Sequence, residues 1–168
     1  MNQFMEEAIK EAQQGIRNGH GGPFGCVIVK AGKIVGRGHN EVIKQQDPTC
    51  HGEMMAIHAA CKELGTFDLS GCELYTTGEP CPMCLGAILW ANVDKVYYGC
   101  NIADAEAIGF RDKVFYEMGS EKKEKLMAEL DAEACRKLFE SIRGLRGKNN
   151  IKVGGFSKPL TKLKFLFA

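Results

Sequence analysis

Two cysteines in the run Glu79-Pro80-Cys81-Pro82-Met83-Cys84 stand three residues apart. We predict that a helix begins near Cys81. Pro82 would then lie in the first helical turn, where a proline costs no hydrogen bond. Residues three apart share one helix face, and the positive end of the helix dipole favours the thiolate form that binds metal. Both sulfurs can therefore bind one ion.

An imidazole and a carboxylate precede these thiols in the run His51-Gly52-Glu53. One histidine and two cysteines suit Zn²⁺, and three protein ligands leave a fourth position for water, as in catalytic sites. Two thiolates cancel the charge of the metal, so a carboxylate must help to take a proton from that water. We assign this role to Glu53. Residues two apart do not share a helix face, so the assignment requires His51 and Glu53 to lie at an irregular first turn.

Each motif also has other meanings. C-x-x-C occurs in redox proteins and in structural zinc sites. A closed structural site needs a fourth protein ligand, and neither Cys72 nor Cys100 has a partner spaced to share a helix end with it. A thioredoxin-like dithiol has no need of a His-x-Glu element. The combination favours catalysis, while a zinc-binding interaction module without activity stays open.

The elements that must position these residues alternate along the chain. They are a helix with Phe4, Met5, Ala8, Ile9, Ala12 and Ile16 at helical spacing, a hairpin of residues 24–30 and 33–39 joined at Ala31-Gly32, a helix at 51–64, a strand at 72–77, a helix at 81–91, a strand at 95–99, and a closing amphipathic helix at 126–142. This order predicts an α/β domain whose later strands are parallel and joined by crossover helices. His58 shares a helix face with His51, and we expect it to pack rather than react.

Composition limits the function classes. With 168 residues and 45% apolar content, we expect a single domain over residues 1–168. The 22 cations nearly balance the 21 acids, which argues against a general polyanion binder. Seven of the cations and no acid lie between Arg143 and Lys164, so a basic tail follows an acidic body.

The acidic N-terminal run and the lack of a long apolar run lead us to expect a cytoplasmic protein that does not associate with membranes. Most of the eight cysteines are expected to be small buried hydrophobes rather than disulfides.

The signature His-x-Glu followed by Pro-Cys-x-x-Cys is that of zinc deaminases, which attack an amino-bearing ring carbon of a base. The chain resembles the cytidine deaminase superfamily, and within it the bacterial guanine deaminases. The resemblance rests on segments that cover most of residues 20–115. They are Gly22-Pro23-Phe24-Gly25, Asn40, Asp47-Pro48-Thr49, the two metal motifs, Cys84-Leu85-Gly86-Ala87-Ile88-Leu89-Trp90-Ala91 and residues 104–112. It implies a three-layer α/β/α domain with a five-stranded mixed sheet, helices on both faces, and a homodimer in which C-terminal segments exchange.

The resemblance also implies a site and a reaction. One Zn²⁺ per chain would be bound by His51, Cys81 and Cys84, and zinc hydroxide would convert guanine to xanthine and ammonia with Glu53 as the proton shuttle. Asn40 would hydrogen-bond the base, with Phe24 and Trp90 lining it or stacking on it. Asp112 would contact the base edge and help the amine to leave. A carboxylate acceptor fits guanine, which presents a ring N–H beside its 2-amino group.

Two departures from this family pattern leave alternatives open. Gly52 stands where guanine deaminases usually have alanine, and His-Gly-Glu also resembles fungal cytosine deaminase. The tail from about residue 144 to 168 is longer and more basic than expected. We name Phe165 and Phe167 there as candidates to close the pocket, without a family residue to match them, and the tail's cations could bind RNA phosphates, as in a tRNA adenosine deaminase.

Overall fold

The computed structural model describes residues 1–117 together with Ala132 and Arg136. The chain divides into two units, Met1–Gly119 and Ser120–Ala168, and the elements described below belong to the first. Ala132 and Arg136 are helical. The rest of the closing helix predicted at 126–142, the basic tail, and Phe165 and Phe167 lie outside the described residues. The single domain over residues 1–168 stays a prediction.

Four strands form a mixed sheet in the described part of the chain. They are β1 (Gly25–Lys30), β2 (Lys33–His39), β3 (Cys72–Gly78) and β4 (Lys95–Cys100), in the order β2-β1-β3-β4. β1 is antiparallel to β2 and β3, while β3 and β4 are parallel. The predicted hairpin and the predicted parallel pair are both confirmed. The fifth strand implied by the family resemblance is not among the residues described.

A two-residue turn closes the hairpin between β1 and β2. Ala31 and Gly32 both have positive φ, at 49° and 76°. A turn of this kind matches the right-handed twist of the paired strands, and glycine accepts positive φ without a steric penalty. The turn pairs Lys30 with Lys33, and an irregularity between Ile28 and Val29 shifts the register by one residue before His39 pairs with Gly25.

Helices cover both faces of the sheet, which confirms the three-layer arrangement. Helix α1 (Gln3–Arg17) packs on one face, whereas α3 (Gly52–Leu64) and α4 (Pro82–Trp90) pack on the other. Side chains alternate along β1 accordingly. Cys26 and Ile28 enter the cluster beneath α3 and α4, and Val27 and Val29 enter the cluster beneath α1. Three short helices complete the described elements: α2 (Val42–Gln45), α5 (Ile102–Ala107) and α6 (Asp112–Tyr116).

Some expectations were wrong in detail. Ile16 is 52% exposed, because the buried face of α1 runs through Ala8, Ala12 and Gly15, and the next residue turns away from the sheet. His58 is exposed rather than packed. The short helices were not predicted, since runs of four to six residues leave little periodicity to detect. The seven cysteines within residues 1–117 are free thiols, and four of them are buried. None of the helices in this region is long and apolar enough to cross a membrane.

Candidate metal centre and catalytic cleft

The imidazole of His51 lies against the two thiols of the C-x-x-C motif. Cys81 Sγ is 3.7 Å and Cys84 Sγ is 3.6 Å from His51 Nδ1. Bonds of about 2.3 Å to sulfur and 2.0–2.1 Å to nitrogen, at tetrahedral angles, would place such atoms about 3.5 Å apart. The geometry and the donor set therefore fit one Zn²⁺ bound by His51, Cys81 and Cys84.

Both helices begin just after a residue of this group. His51 and Cys81 are the N-cap residues of α3 and α4, each with an extended backbone, and neither side chain caps its own helix. Both side chains are thereby left to face each other across the gap between the helices. Pro82 fills the first helical position of α4, and Cys84, which is fully buried, lies three residues after Cys81. The sequence required an irregular first turn for His51 and Glu53 to lie in one site. The extended backbone of His51, directly before α3, provides this irregularity.

A hydrogen bond between the two thiols shifts their pKa values in opposite directions. A hydrogen bond from the Cys84 thiol, followed by one from His51, lowers the pKa of Cys81 to about 4 against the opposing effect of burial. The same bond to Cys81, together with burial, raises the pKa of Cys84. Hydrogen bonding to Cys81 raises the pKa of His51. Both sulfurs lie close enough to His51 Nδ1 to bind the same divalent cation.

Glu53 lies two residues into α3 and is only 4% exposed. Its Oε1 accepts a hydrogen bond of 3.1 Å from Thr76 Oγ1 in the centre of β3. Burial raises the pKa of Glu53 above its ordinary value, although hydrogen bonds and the nearby His51 oppose the shift. A carboxyl group with a raised pKa can both take up and release a proton near neutral pH.

A cleft of about 480 Å³ opens over this group. Its wall includes all of the site residues predicted from the sequence except Cys84 and Trp90, namely Phe24, Asn40, His51, Glu53, Cys81 and Asp112. Phe24 meets Phe110 edge to face, with ring centroids 4.7 Å apart. The cleft thus combines an aromatic wall with a few polar groups, as small-molecule sites do.

Two hydrogen bonds hold Asn40. Its backbone N–H donates to the Phe24 carbonyl at 2.8 Å, and its side-chain Oδ1 accepts from the Val42 N–H at 3.2 Å. The Phe24 carbonyl also lies close to Gly52, where an added Cβ would come within 2.9 Å of the oxygen. Oδ1 accepts from the backbone, and the N–H₂ group of the same amide is a donor that a ligand in the cleft can use.

Asp112 is the first residue of α6 and is half-buried, so it is not a solvated loop acid. Burial raises the pKa of its carboxyl, with a further contribution from the nearby Cys81 and an opposing one from His51. At the other end of α6, the Tyr116 hydroxyl donates to the Pro80 carbonyl at 2.5 Å. This bond joins the helix that carries Asp112 to the loop that carries Cys81.

Trp90 lies elsewhere. It is the last residue of α4, 66% exposed, and it does not line the cleft formed by the described residues. Helix α4 carries it away from the metal ligands at its own N-terminus. The residues that sequence reasoning missed are Phe110, Arg111 and Phe115 in the cleft and Thr76 behind Glu53. Proximity to Asp112 along the chain was the available signal for the first three, and Thr76 had none.

The chain is similar to known deaminases in both sequence and structure. The cytidine and deoxycytidylate deaminase zinc-binding region matches residues 1–100. Guanine deaminase of Bacillus subtilis (strain 168) is 49% identical over 114 residues, which are 68% of this chain and 73% of that protein. An X-ray structure of guanine deaminase from Bacillus subtilis superimposes with a TM-score of 0.74 at 37% identity, covering 90% of this chain and 98% of that one.

A relative with a different substrate is also similar. The tRNA-specific adenosine deaminase of Bacillus subtilis (strain 168) is 47% identical over 96 residues, which are 57% of this chain and 59% of that protein. The similarity to both relatives means that the shared metal motifs alone do not distinguish a free base from a base in RNA. The cleft beyond the metal has to make that distinction.

Proposed function

Because the chain belongs to the cytidine and deoxycytidylate deaminase family, we propose that it is a zinc-dependent hydrolase that converts guanine to xanthine and ammonia. One observation carries the choice of base: the half-buried carboxylate of Asp112 and the amide of Asn40 line the same cleft as His51 and Glu53. The similarity to a guanine deaminase over two thirds of the chain supports it.

Recognition follows from the hydrogen-bonding edges of guanine. Asp112 accepts from the ring N–H and the 2-amino group, while the Asn40 amide donates to an acceptor of the purine. Phe24 and Phe110 contact the ring. Adenine lacks a ring N–H beside its amino group, so it would leave the Asp112 carboxylate without one of its donors. An unpaired buried carboxylate carries a large free-energy penalty, which gives the site its selectivity.

His51, Cys81 and Cys84 would hold one Zn²⁺ per chain, and the bound ion would supply an activated water molecule as the nucleophile. Glu53 would accept a proton from the attacking water, whose oxygen would bond to C2 of guanine. The same carboxyl then donates the proton to the 2-amino nitrogen, the C2–N bond breaks, and ammonia leaves. Asp112 assists by holding the departing amine. Thr76 keeps the Glu53 carboxylate in place during both transfers.

The proposal extends to assembly and location. We expect a cytoplasmic homodimer in which the C-terminal segments, about residues 144–168, are exchanged between subunits. A tRNA adenosine substrate is the second candidate, favoured by the 47% identical relative and by the seven cations of the tail. It would require the chain to bind RNA with strong salt dependence.

Ammonia release from a panel of substrates tests the function. The purified protein is assayed with guanine, cytosine, adenine, their nucleosides and tRNA, and guanine should have the highest kcat/KM. Preferred turnover of cytosine would instead support the His-Gly-Glu resemblance to cytosine deaminase. Salt-sensitive turnover of tRNA would support the adenosine deaminase. Zinc binding without ammonia release from any substrate would identify a non-catalytic module.

A further inference from the structure

Within residues 1–117, a second group of side chains has the donors and the spacing of a metal site. It consists of His20, His39 and Glu41, which lie apart from His51, Cys81 and Cys84. His20 Nδ1 is 2.8 Å from His39 Nε2, and Glu41 Oε1 is 3.4 Å from His39 Nε2 and 3.9 Å from His20 Nδ1. We propose that these three residues bind a second divalent transition-metal ion, with Zn²⁺ as the expected occupant.

The distances between the donor atoms support a common ion. Bonds of 2.0–2.2 Å from one zinc ion to nitrogen and oxygen donors at tetrahedral angles place the donors about 3.3–3.5 Å apart. The three observed separations bracket this value, so shifts of about half an ångström bring all of them to it. Imidazole nitrogen with carboxylate oxygen is a common zinc ligand set, and three such ligands leave a fourth position for water.

The surroundings of His39 are those of a metal ligand. Its other ring nitrogen, Nδ1, is 3.2 Å from Glu11 Oε2. A histidine that binds metal usually donates its second N–H to a carboxylate in this way, which fixes the ring and the tautomer. The Nε2 lone pair of His39 then points toward His20 and Glu41. The proton between the two rings, which a metal ion would displace, can move to Nε2 of His20.

The backbone holds these ligands in place. His20 donates its N–H to the Gly15 carbonyl, and its own carbonyl accepts from the N–H groups of Ile43 and Lys44 at 3.0 and 3.1 Å. His39 ends β2 and lies against Gly15, where an added Cβ would come within 2.7 Å of the ring. The absence of a side chain at position 15 therefore makes the space that the imidazole fills.

One cation already contacts the group. Lys44 Nζ is 2.8 Å from Glu41 Oε1. Its side chain is 43% exposed, so the ammonium can return to solvent at little cost. A divalent metal ion bound to the Glu41 carboxylate would bring two positive charges where the exposed Lys44 ammonium brings one. Lys44 therefore lowers the affinity without blocking the site.

The site has a structural consequence for the cleft, because His39 and Glu41 flank Asn40 in the chain. A metal ion bound by both neighbours would clamp the segment whose amide faces the cleft. The inference is separate from the proposed function, since its readout is metal binding and does not require turnover of any base.

Metal titration of the full-length protein tests the proposal. With the first zinc equivalent bound, a competition titration against a chromophoric chelator should reveal a second equivalent. Loss of a ligand in His20→Ala should weaken the second equivalent by more than the 10- to 100-fold typical of a supporting residue, and Glu11→Gln should weaken it by about 10- to 100-fold. His58→Ala, which removes an exposed histidine outside both groups, serves as the matched control and should leave both equivalents unchanged.

Two further measurements separate a true site from adventitious binding. Cobalt(II) in the second site should give ligand-field bands without the thiolate charge-transfer band of the first site. With the first site already filled by one equivalent, further zinc should raise the melting temperature of the wild-type protein but not that of His20→Ala. A protein that binds only one equivalent, or a second equivalent that survives in His20→Ala, would overturn the proposal.

Discussion

Thr76 Oγ1 donates a hydrogen bond of 3.1 Å to Glu53 Oε1 in a fully buried position. The bond joins the centre of the sheet to the first turn of α3, so the fold itself holds the carboxyl group that we propose as the proton carrier. A buried carboxylate oxygen that loses its donor loses both orientation and stabilisation of its charged form.

Thr76→Val should lower kcat on guanine by on the order of 10- to 100-fold, because a hydrogen bond to a charged group contributes about 1.5–3 kcal/mol. Zinc content should not change. Steady-state kinetics and metal analysis check both. Thr76→Ser keeps the hydroxyl and should restore most of the rate, and a serine variant as slow as the valine variant would mean that only packing matters here.

Glu53→Gln should keep its zinc and lose activity by a factor on the order of 10² to 10⁴, the usual contribution of one general acid–base group. Glu63→Gln, on the exposed side of the same helix, is the control and should behave like the wild type. Loss of metal from Glu53→Gln would identify Glu53 as a ligand instead.

Cys81→Ala should bind much less zinc and release almost no ammonia, because one of the three proposed soft or borderline donors is gone. Cys100→Ala removes an exposed thiol and should keep both properties. Elemental analysis after extensive dialysis gives the answer. Full zinc content together with full activity in Cys81→Ala would contradict the assigned site.

Asp112→Asn should reduce kcat/KM for guanine on the order of 10²-fold, because the amide keeps the shape but cannot accept from two donors as a carboxylate does. Glu106→Gln changes an exposed carboxylate that pairs with Lys113 and should be nearly neutral. Rates on guanine, cytosine and adenine decide the role. An equal loss on every base would make Asp112 a group for proton transfer rather than for substrate choice.

The stability of the fold should depend on Glu41 in a defined pH range. Burial alone raises the pKa of Glu41, but hydrogen bonds from Lys44 and Gln45 outweigh it and hold the pKa below its ordinary 4.5. A carboxyl with a lowered folded-state pKa stabilises the protein above its unfolded-state pKa, and this contribution is lost as the pH falls through the folded-state value. Denaturant unfolding should therefore show that Glu41→Gln destabilises most near neutral pH and progressively less below pH 4.5. A constant difference between the two proteins across this range would exclude an ionised role.

The predicted parts of the site are those encoded within a few neighbouring residues. His51, Cys81 and Cys84 could be assigned because each stands at the start of a helix whose pattern is visible nearby, and the structure brings them together. The pairing of Glu53 with Thr76 depends on how α3 lies across β3, which no local pattern encodes.

The same limit explains why no local pattern predicts the contact between His20 and His39, or the position of Trp90 outside the cleft of the described residues. His20 and His39 are 19 residues apart and meet only because the hairpin returns the chain to the end of α1. Trp90 was assigned to the base from its place in a family motif, but helical geometry carries it away from the cleft described here. Short-range pattern thus predicted residues that the structure brings together at the candidate site, while tertiary register decides which residues support them.

The residue type at position 52 affects the shape of the cleft, because glycine leaves room there for the Phe24 carbonyl. The Phe24 carbonyl that lies against Gly52 is the same carbonyl that accepts the Asn40 N–H. A methyl group at position 52 would displace the Phe24 carbonyl, and the hydrogen bond from Asn40 would transmit the shift to Asn40. Phe24 and Asn40 would therefore move together. Gly52 does not itself line the cleft formed by the described residues. Substitutions at Gly52 therefore change the width of the cleft through Phe24 and Asn40 without altering a residue of its wall.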